Sequence, residues 1–389
     1  MSWSDDDIRA ILDTIDKFVD QDIKPIAREH DLADSYPHEL VEKMKELGLF
    51  GATIGEAYGG LGLSASVYST IVQKISAAWM APSGIFNSHL IMASAIERVG
   101  TEEQKQAFLP RMACGDLRGG IALTEPNAGT DLQAIRMTAK RDGDDYILNG
   151  TKTWITNSMN GGGLAVLVKT DPNAEPRHKG MSMFIVETKD EQGQVKSGIQ
   201  VNKIKKTCYR AIDTCEVVFE DFRVPAANLV GLEEGRGFQT AVGGLELGRI
   251  NVAARGAGIA QGALDLCVRY AQERESMGKP ICEHQAIQLK LGEMAAKVEA
   301  SKLLIKQAAE MYDTGQRCDM EAGMAKYFAS ETGVYCASEG MRIFGGYSMS
   351  VEYEIERYYR DAMLMCIGEG TNEMQRIIIS KQLIAKNRI

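Results

Sequence analysis

Glu369 is a candidate general base in this sequence. It lies between Gly368 and Gly370, just ahead of Thr371, which can cap a following helix. Glycine on both sides lets the backbone approach a ligand closely. A carboxylate in an apolar pocket has its pKa raised from about 4.3 towards neutrality, which suits proton abstraction. The alternative is a solvated acid at a helix start, where the helix dipole favours it.

Two segments earlier in the chain could hold a ligand. In a strand, Trp154 and Thr156 point to one face and offer a ring for stacking and a hydroxyl for a hydrogen bond. This pair would suit a flat aromatic cofactor, although a buried tryptophan beside threonine on a pleated face is the alternative. The segment 122–131 combines hydroxyls, a proline turn and glycine, and so offers backbone N–H groups to an anionic ligand. Its alternative is an ordinary loop with a helix cap.

Other motifs lack the neighbouring elements or residues that a nucleotide-binding or metal-binding site would need. The segment 60–65 matches G-x-G-x-x-[G/A], but it has no preceding strand and no βαβ unit, so we predict a loop. The five histidines are scattered and no two cysteines form a C-x-x-C pair, so we predict no metal site.

The elements that must position these residues change in character twice along the chain. Residues 1–118 show helical periodicity, beginning with a capping box at Ser4 and Asp7. Residues 119–230 hold short β-branched and aromatic runs separated by turns, without alternating helices, which predicts a β-barrel or sandwich. Residues 231–389 return to long helices and predict a four-helix bundle, with small residues at 253–263 for close packing. The predicted fold class is therefore α+β and multidomain.

Length and composition limit the class of protein. The 389 residues are 44% hydrophobic and 25% charged, as in ordinary globular chains. A net charge of −9 argues against a general nucleic-acid binder, and no apolar run of about 18 residues predicts a membrane span. Eight dispersed cysteines indicate reduced thiols, and the acidic N-terminus argues against a secretory or transit peptide. We therefore expect a cytoplasmic protein.

Together the motifs resemble the acyl-CoA dehydrogenase family over essentially the whole chain. The matching segments, in the order of the family, are Leu123-Thr124-Glu125 through Gly129-Thr130-Asp131, Trp154-Ile155-Thr156, Arg274-Glu275-Ser276-Met277-Gly278, Ile343-Phe344-Gly345-Gly346-Tyr347, Tyr359-Arg360-Asp361 and Glu369-Gly370-Thr371. The resemblance implies an α, β, α arrangement and a homotetramer with FAD at a subunit interface.

The resemblance also implies a reaction and its residues. Glu369 would take a proton from Cα of an acyl-CoA thioester while a hydride leaves Cβ for flavin N5, giving a 2-enoyl-CoA. Electrons would then pass to electron-transfer flavoprotein. The resemblance places FAD against Leu123, Thr124, Gly129, Thr130, Trp154, Ile155, Thr156, Thr371 and Glu373, with Arg274, Gln285, Gly345 and Gly346 reaching it from a neighbouring subunit. It places acyl-CoA against Thr130, Glu246, Arg249, Gly368 and Gly370.

Several positions depart from the pattern of the family. Some members carry the base at the position of Gly248, where glycine cannot serve, which leaves Glu369. Gly368 replaces a frequent tyrosine and should open the pocket to a branched, cyclic or otherwise bulky acyl group. Met277, Met341 and Ser348 also differ from the usual residues and put individual FAD contacts in question.

Two rival functions stay open at this stage. One is a flavin oxidase or monooxygenase on the same fold, which would react with oxygen; Glu369 favours dehydrogenation instead. The other is a non-catalytic acyl-CoA-binding protein, which would be expected to lose the base or the flavin residues. This chain keeps both.

Overall fold

The computed structural model describes residues 3–243 and 245–388 and begins with a helical layer. Ser4 forms the predicted capping box with Asp7. The first helix continues through a π-helical turn, Val19–Ile23, into the second. The helices of this layer are α1 Asp5–Phe18, α2 Lys24–Ala33, α3 His38–Glu46, α4 Ala65–Ala78, α5 Met80–Val99 and α6 Glu102–Ala113. The segment 60–64 is a loop, as predicted.

The middle of the chain forms one curled seven-stranded sheet. Its strands are β1 Gly119–Ala122, β2 Thr138–Asp142, β3 Asp145–Thr156, β4 Gly163–Lys169, β5 Met181–Glu187, β6 Ile199–Lys203 and β7 Thr214–Pro225. β3 pairs with β2 and β7, whereas β4 pairs in parallel with β1 and antiparallel with β5. The four apolar runs that predicted strands lie in β3, β4, β5 and β7, and their inward residues form a separate core.

The helices after the sheet form the second helical layer. They are α7 Gly237–Val242, α8 Leu245–Glu273, α9 Gln285–Asp313, α10 Asp319–Phe344, α11 Ile355–Ile367 and α12 Asn372–Lys386, with a small β8–β9 hairpin (Glu275–Ser276 and Lys279–Pro280) before α9. The four predicted long helices are present, and α11 is a further helix that the sequence did not predict. The prediction of close packing by small residues in α8 is confirmed. A Cβ on Gly256 would lie 2.8 Å from the carbonyl oxygen of Ala329 on α10.

Two further predictions concern the whole chain. No helix in the described residues is both long and apolar enough to cross a bilayer. All eight cysteines are free of disulfide bonds, as expected of reduced thiols.

Candidate active site

Glu369 lies in the short loop that joins α11 to α12. Gly368 ends α11 in an extended conformation, and the Thr371 side chain caps α12 by accepting a hydrogen bond from the N–H of Met374, as predicted. Glu369 itself has φ 54°, in the left-handed region that non-glycine residues seldom adopt. Such backbone strain is retained where the surroundings fix it, and it is frequent at functional sites.

A buried lysine on α10 fixes both ends of this loop. Lys326 Nζ donates to the carbonyl of Cys366 at 3.2 Å and to Asn372 Oδ1 at 2.8 Å. Ser330 Oγ donates to the same Asn372 oxygen at 3.1 Å. Burial lowers the pKa of Lys326 to about 8. The end of α11 and the start of α12 are therefore tied to one side chain.

The two carboxylate oxygens of Glu369 have different surroundings. Oε1 accepts hydrogen bonds from Asn87 Nδ2 at 3.1 Å and from Arg255 Nη2 at 3.0 Å. Oε2 is buried and has no hydrogen-bond partner among the residues that the structure describes. It lies 2.8 Å from the position that a Cβ on Gly248 would take. Oε2 is thus the oxygen that is free to accept a proton.

Burial raises the pKa of Glu369 above its usual value, and the charges of Arg255 and Lys326 oppose that rise. The Arg255 side chain is 6% exposed, whereas that of Glu369 keeps 24% of its surface open. The Glu369 side chain is therefore partly open to solvent rather than enclosed in the core. The rise in the pKa of Glu369 agrees with the prediction of a carboxylate in an apolar pocket. The nearby cations Arg255 and Lys326 were not predicted.

The crevice beside Glu369 runs between α4, α5 and α8. Its lining residues are Tyr68, Asn87, Leu90, Ile91, Ser94, Leu247 and Gly248. The Tyr68 hydroxyl donates to Asn87 Oδ1 at 3.3 Å and accepts from Asn251 Nδ2 at 3.0 Å. The Asn87 amide therefore links Glu369 to the hydrogen bonds of Tyr68 and Asn251, while the remaining residues that line the crevice are mostly aliphatic. Such a lining suits an apolar ligand group.

Trp154 lies at a bulge of β3. The register of β3 against β7 shifts between Lys152 and Ile155, and Trp154 has φ 62°. Trp154 is 57% exposed and Thr156 is half-buried, whereas Ile155 points into the core of the sheet. Trp154 and Thr156 therefore both lie away from that core, as predicted. Ile155 can face a ligand only through its main chain.

The loop 123–130 lies directly against this bulge. The N–H of Thr153 donates to the carbonyl of Thr124 at 2.9 Å. Lys152 Nζ, fully buried, donates to the carbonyl of Leu123 at 2.9 Å and to Glu125 Oε1 at 2.8 Å. Burial lowers the pKa of Lys152 to about 8, against the opposing charge of Glu125. The two candidate ligand segments are therefore neighbours, with Gly129 and Thr130 exposed beyond them.

Helix α5 links these segments to the base. Asn157 Nδ2 donates to the carbonyl of Ile85 at 2.7 Å and to that of Gly119 at 2.8 Å. Two residues further along α5, Asn87 binds Glu369. The end of β3 and the carboxylate thus share one helical support.

Other predicted site residues lie elsewhere on the surface. Arg274, Gln285, Gly345 and Gly346 are exposed, and the Arg274 guanidinium lies 5.5 Å from the centre of the Tyr347 ring. Glu373 is exposed and pairs with Arg376 at 3.0 Å.

The first turn of α8 carries the remaining pair, Glu246 and Arg249. Arg249 is 7% exposed, and its Nε has no hydrogen-bond partner. Burial raises the pKa of Glu246, and the neighbouring Asp319 raises it further. Asp319 was not among the predicted residues of the site.

Arg255 is the main residue of the site that the sequence did not single out. Its Nη1 donates to the Tyr209 hydroxyl at 3.4 Å, and its Nη2 binds Glu369. The N–H of Tyr209 is held by Asp361 Oδ1 at 2.7 Å, and burial raises the pKa of Asp361 to about 6. A Cβ on Gly84 would lie 1.2 Å from the Tyr209 hydroxyl oxygen, so that glycine makes room for the ring. An arginine within the small residues 253–263 was the available signal, because a buried charge needs a partner.

Comparison with known proteins gives the same picture over nearly the full chain. Models of the acyl-CoA dehydrogenase N-terminal, middle and C-terminal domains match residues 5–116, 120–222 and 235–384. A 3-(aryl)acrylate reductase of Clostridium sporogenes is 40% identical over 370 residues, 94% of this chain and 96% of that protein. An acyl-CoA dehydrogenase of Bacillus subtilis is 40% identical over 372 residues, 94% and 95% of the two chains.

A solved structure agrees with these sequence matches. The butyryl-CoA dehydrogenase from Megasphaera elsdenii superimposes with a TM-score of 0.92 at 34% identity, covering 99% of this chain and 100% of that one. The fold that brings Glu369 next to this crevice is thus shared with that structure along its whole length. The chain belongs to the acyl-CoA dehydrogenase family, whose members are FAD-dependent flavoproteins that act on CH–CH bonds.

Proposed function

We propose that the protein dehydrogenates an acyl-CoA thioester to the 2-enoyl-CoA, with Glu369 as the base. The observation that carries this proposal is Glu369 Oε2, a buried oxygen without a hydrogen-bond partner among the described residues, next to the crevice that Asn87 and Gly248 line. Oε1 is fixed by Asn87 and Arg255, so the carboxylate is oriented while Oε2 takes the Cα proton. A pKa raised by burial brings the carboxyl closer to working pH, which favours general-base catalysis.

The residues around Trp154 fit FAD. The Trp154 side chain is 57% exposed and gains little free energy from burial unless a ligand covers it. Its backbone, at φ 62°, is strained, as is frequent at functional sites. FAD, when bound, supplies the acceptor for the hydride that leaves Cβ. Trp154 would pack against its ring system and Thr156 would hydrogen bond to the ring edge. Leu123, Thr124, Gly129 and Thr130 would bind the flavin and its phosphates, with Ile155 contributing only main chain and Thr371 and Glu373 at the other edge.

We assign binding of the CoA portion of the substrate to the first turn of α8, to the end of the loop 123–130 and to the loop that joins α11 to α12. Arg249 supplies a positive charge with an unpaired Nε, which suits an anionic or carbonyl acceptor. Thr130, Glu246, Gly368 and Gly370 complete the assignment. Gly368 leaves free the space that a larger side chain would fill, so we propose a branched, cyclic or otherwise bulky acyl group.

We further propose a homotetramer that passes electrons to electron-transfer flavoprotein in the cytoplasm. Arg274, Gln285, Gly345 and Gly346 are exposed on the second helical layer, where another subunit could bring them to the flavin. The free cysteines are consistent with a reducing compartment.

Reduction of an enoyl-CoA is a second candidate for the same site. The Clostridium sporogenes relative at 40% identity is a reductase by name. In that direction, by microscopic reversibility, a protonated Glu369 would deliver its proton to Cα, and the hydride for Cβ would come from FAD in its reduced form. The residues that position the base are the same for both directions.

The test is a panel of acyl-CoA esters with ferrocenium as electron acceptor, run with the native chain and with Glu369→Gln. The panel includes straight, branched, cyclic, aromatic and dicarboxylic acyl groups. We expect a yellow, FAD-containing protein that oxidises at least one ester, and a loss of about 100-fold or more in the variant with FAD retained. Near-native turnover of Glu369→Gln would disprove the assignment of the base.

Two further measurements separate the rivals. Straight-chain butyryl-CoA outcompeting every branched and cyclic ester would contradict the bulky-substrate proposal. Stopped-flow reoxidation in air identifies an oxidase, because an oxidase reoxidises rapidly without ferrocenium. Reduction of enoyl-CoA esters faster than oxidation of their saturated counterparts would favour the reductase.

A further inference from the structure

The ion pair between Arg255 and Glu369 joins two buried groups from distant parts of the chain. Arg255 Nη2 lies 3.0 Å from Glu369 Oε1, and the two residues are 114 positions apart. Arg255 is on α8, seven residues after Gly248, so both lie on the face of the helix that is turned towards the base. Desolvation of an arginine is costly unless its partner is well placed.

The chain supports this arginine from behind. Tyr209 Oη accepts from Arg255 Nη1 at 3.4 Å. The Tyr209 main chain, at φ 56°, is held by the buried Asp361, and its ring fills the space that Gly84 leaves open. Arg255 is therefore held in place from the side away from Glu369. This arrangement directs the guanidinium at Oε1 and leaves Oε2 open.

We infer that Arg255 is the positioning residue that keeps Glu369 ionised and directed at the substrate, a role that rests on the proposed dehydrogenase function. Burial raises the pKa of the Glu369 carboxyl and so favours its protonated form, which cannot accept a proton. An opposite charge within hydrogen-bond distance restores the carboxylate.

The other titratable groups that face Glu369 act less directly. Lys326 on α10 also favours the carboxylate by its charge, but it hydrogen bonds to Cys366 and Asn372 instead. Tyr68 on α4 and Tyr209 are buried phenols whose pKa values are raised by burial, so both are neutral near pH 7. Asn87 on α5 hydrogen bonds to Glu369 but does not titrate. Arg255 is therefore the single cation among these groups that touches the base.

The sign of the pH effect follows from this arrangement. Without Arg255 the pKa of Glu369 rises, so the pH below which the base is protonated moves upwards. We expect the acid limb of kcat/KM in Arg255→Gln to shift by about one to three pH units towards alkaline pH. Between the shifted limb and the native limb, the activity ratio of the variant to the native chain then falls tenfold per pH unit; it stays constant below the native limb and recovers above the shifted one. Arg255→Lys keeps the positive charge, so its acid limb of kcat/KM should stay close to the native pH.

Arg357→Gln is the matched control. Arg357 is also a buried arginine, 3% exposed, but it donates to the carbonyl of Ala78 rather than to the base. Its loss should lower the melting temperature and leave the acid limb in place. If Arg255→Gln lowers the rate by one factor at every pH, as a merely structural change would, the inference is overturned.

A double-mutant cycle followed by melting temperature tests the ion pair and needs no measurement of activity. With Arg255 present, Glu369→Gln should lower Tm, because the guanidinium loses its charged partner. In an Arg255→Gln background, the same substitution should raise Tm or leave it unchanged, because it removes an unpaired buried carboxyl. Additive changes in Tm would overturn the pairing. A native chain that oxidises no ester, with a cycle that still shows coupling, would disprove the proposed function rather than the ion pair.

Discussion

At the scale of single residues, the site is defined by the unequal oxygens of one carboxylate. Asn87 and Arg255 fix Oε1, and Gly248 leaves room for Oε2. From the sequence, Gly248 is only a position that cannot supply the base. The structure gives it a second role, since any side chain there would occupy the space next to the reactive oxygen.

Gly248→Ala tests that role. A Cβ would lie 2.8 Å from Glu369 Oε2, so the carboxylate must move away. We expect kcat to fall about tenfold or more, since misplacement of a reacting group by about 1 Å costs up to about 100-fold. FAD content should not change.

Gly292→Ala is the control for a glycine-to-alanine change within a helix. A Cβ on Gly292, in α9, meets nothing within 4 Å. Its kcat should be unchanged and its stability raised by up to about 1 kcal/mol. Equal kcat values for the two variants would rule out the proposed crowding of Oε2.

At the scale of elements, the position of Glu369, the proposed base, depends on how α10 holds the junction of α11 and α12. Lys326 binds the last turn of one helix and the first residue of the other, and Thr371 caps the second. The strained φ of Glu369 is retained because both ends of its loop are fixed.

Lys326→Met should loosen this junction. It leaves a buried carbonyl and the Asn372 amide oxygen with fewer donors, which costs about 1–3 kcal/mol for each unsatisfied group. We expect a lower urea midpoint and a lower kcat. Lys381→Met on the exposed face of α12 should stay within about 0.5 kcal/mol of the native chain. A normal kcat in a destabilised Lys326→Met would show that the junction does not position the base.

The sequence predicted the elements wherever their patterns were strong. The β-branched runs of β4 and β5 predicted strands because both faces of these strands are buried. Strand β2, Thr138–Asp142, was missed because it ends in three charged or exposed residues. Glu369 was predicted from its flanking glycines, whereas its partner Arg255 was not, since only the tertiary fold brings together residues 114 positions apart.

At the scale of the whole molecule, the second helical layer exposes more apolar surface than a solitary chain requires. Leu289 and Leu303 lie fourteen residues apart on the same side of α9 and are 68% and 59% exposed. On α12, Leu383 and Ile384 are 52% and 65% exposed. Both helices pack against α10, and exposed apolar residues in such numbers are typical of association surfaces.

Leu303→Glu tests association through α9. We expect the native chain to have a mass of about four times 42.6 kDa by light scattering, and the variant to form smaller species with less bound FAD. Leu303→Met keeps the apolar surface and should retain both properties. A native monomer with full FAD would contradict the proposed tetramer.

The fit of Tyr209 against Gly84 has a consequence for relatives of this chain. The hydroxyl occupies the place of a Cβ at 84, so a larger residue at 84 and a tyrosine at 209 are mutually exclusive in this backbone. Since Tyr209 supports Arg255, the three positions should vary together across homologues. Glycine at 84, tyrosine at 209 and arginine at 255 would then form a sequence signature of family members in which the glutamate is ion-paired. The signature would distinguish them from members that are equally similar to this chain over its whole length.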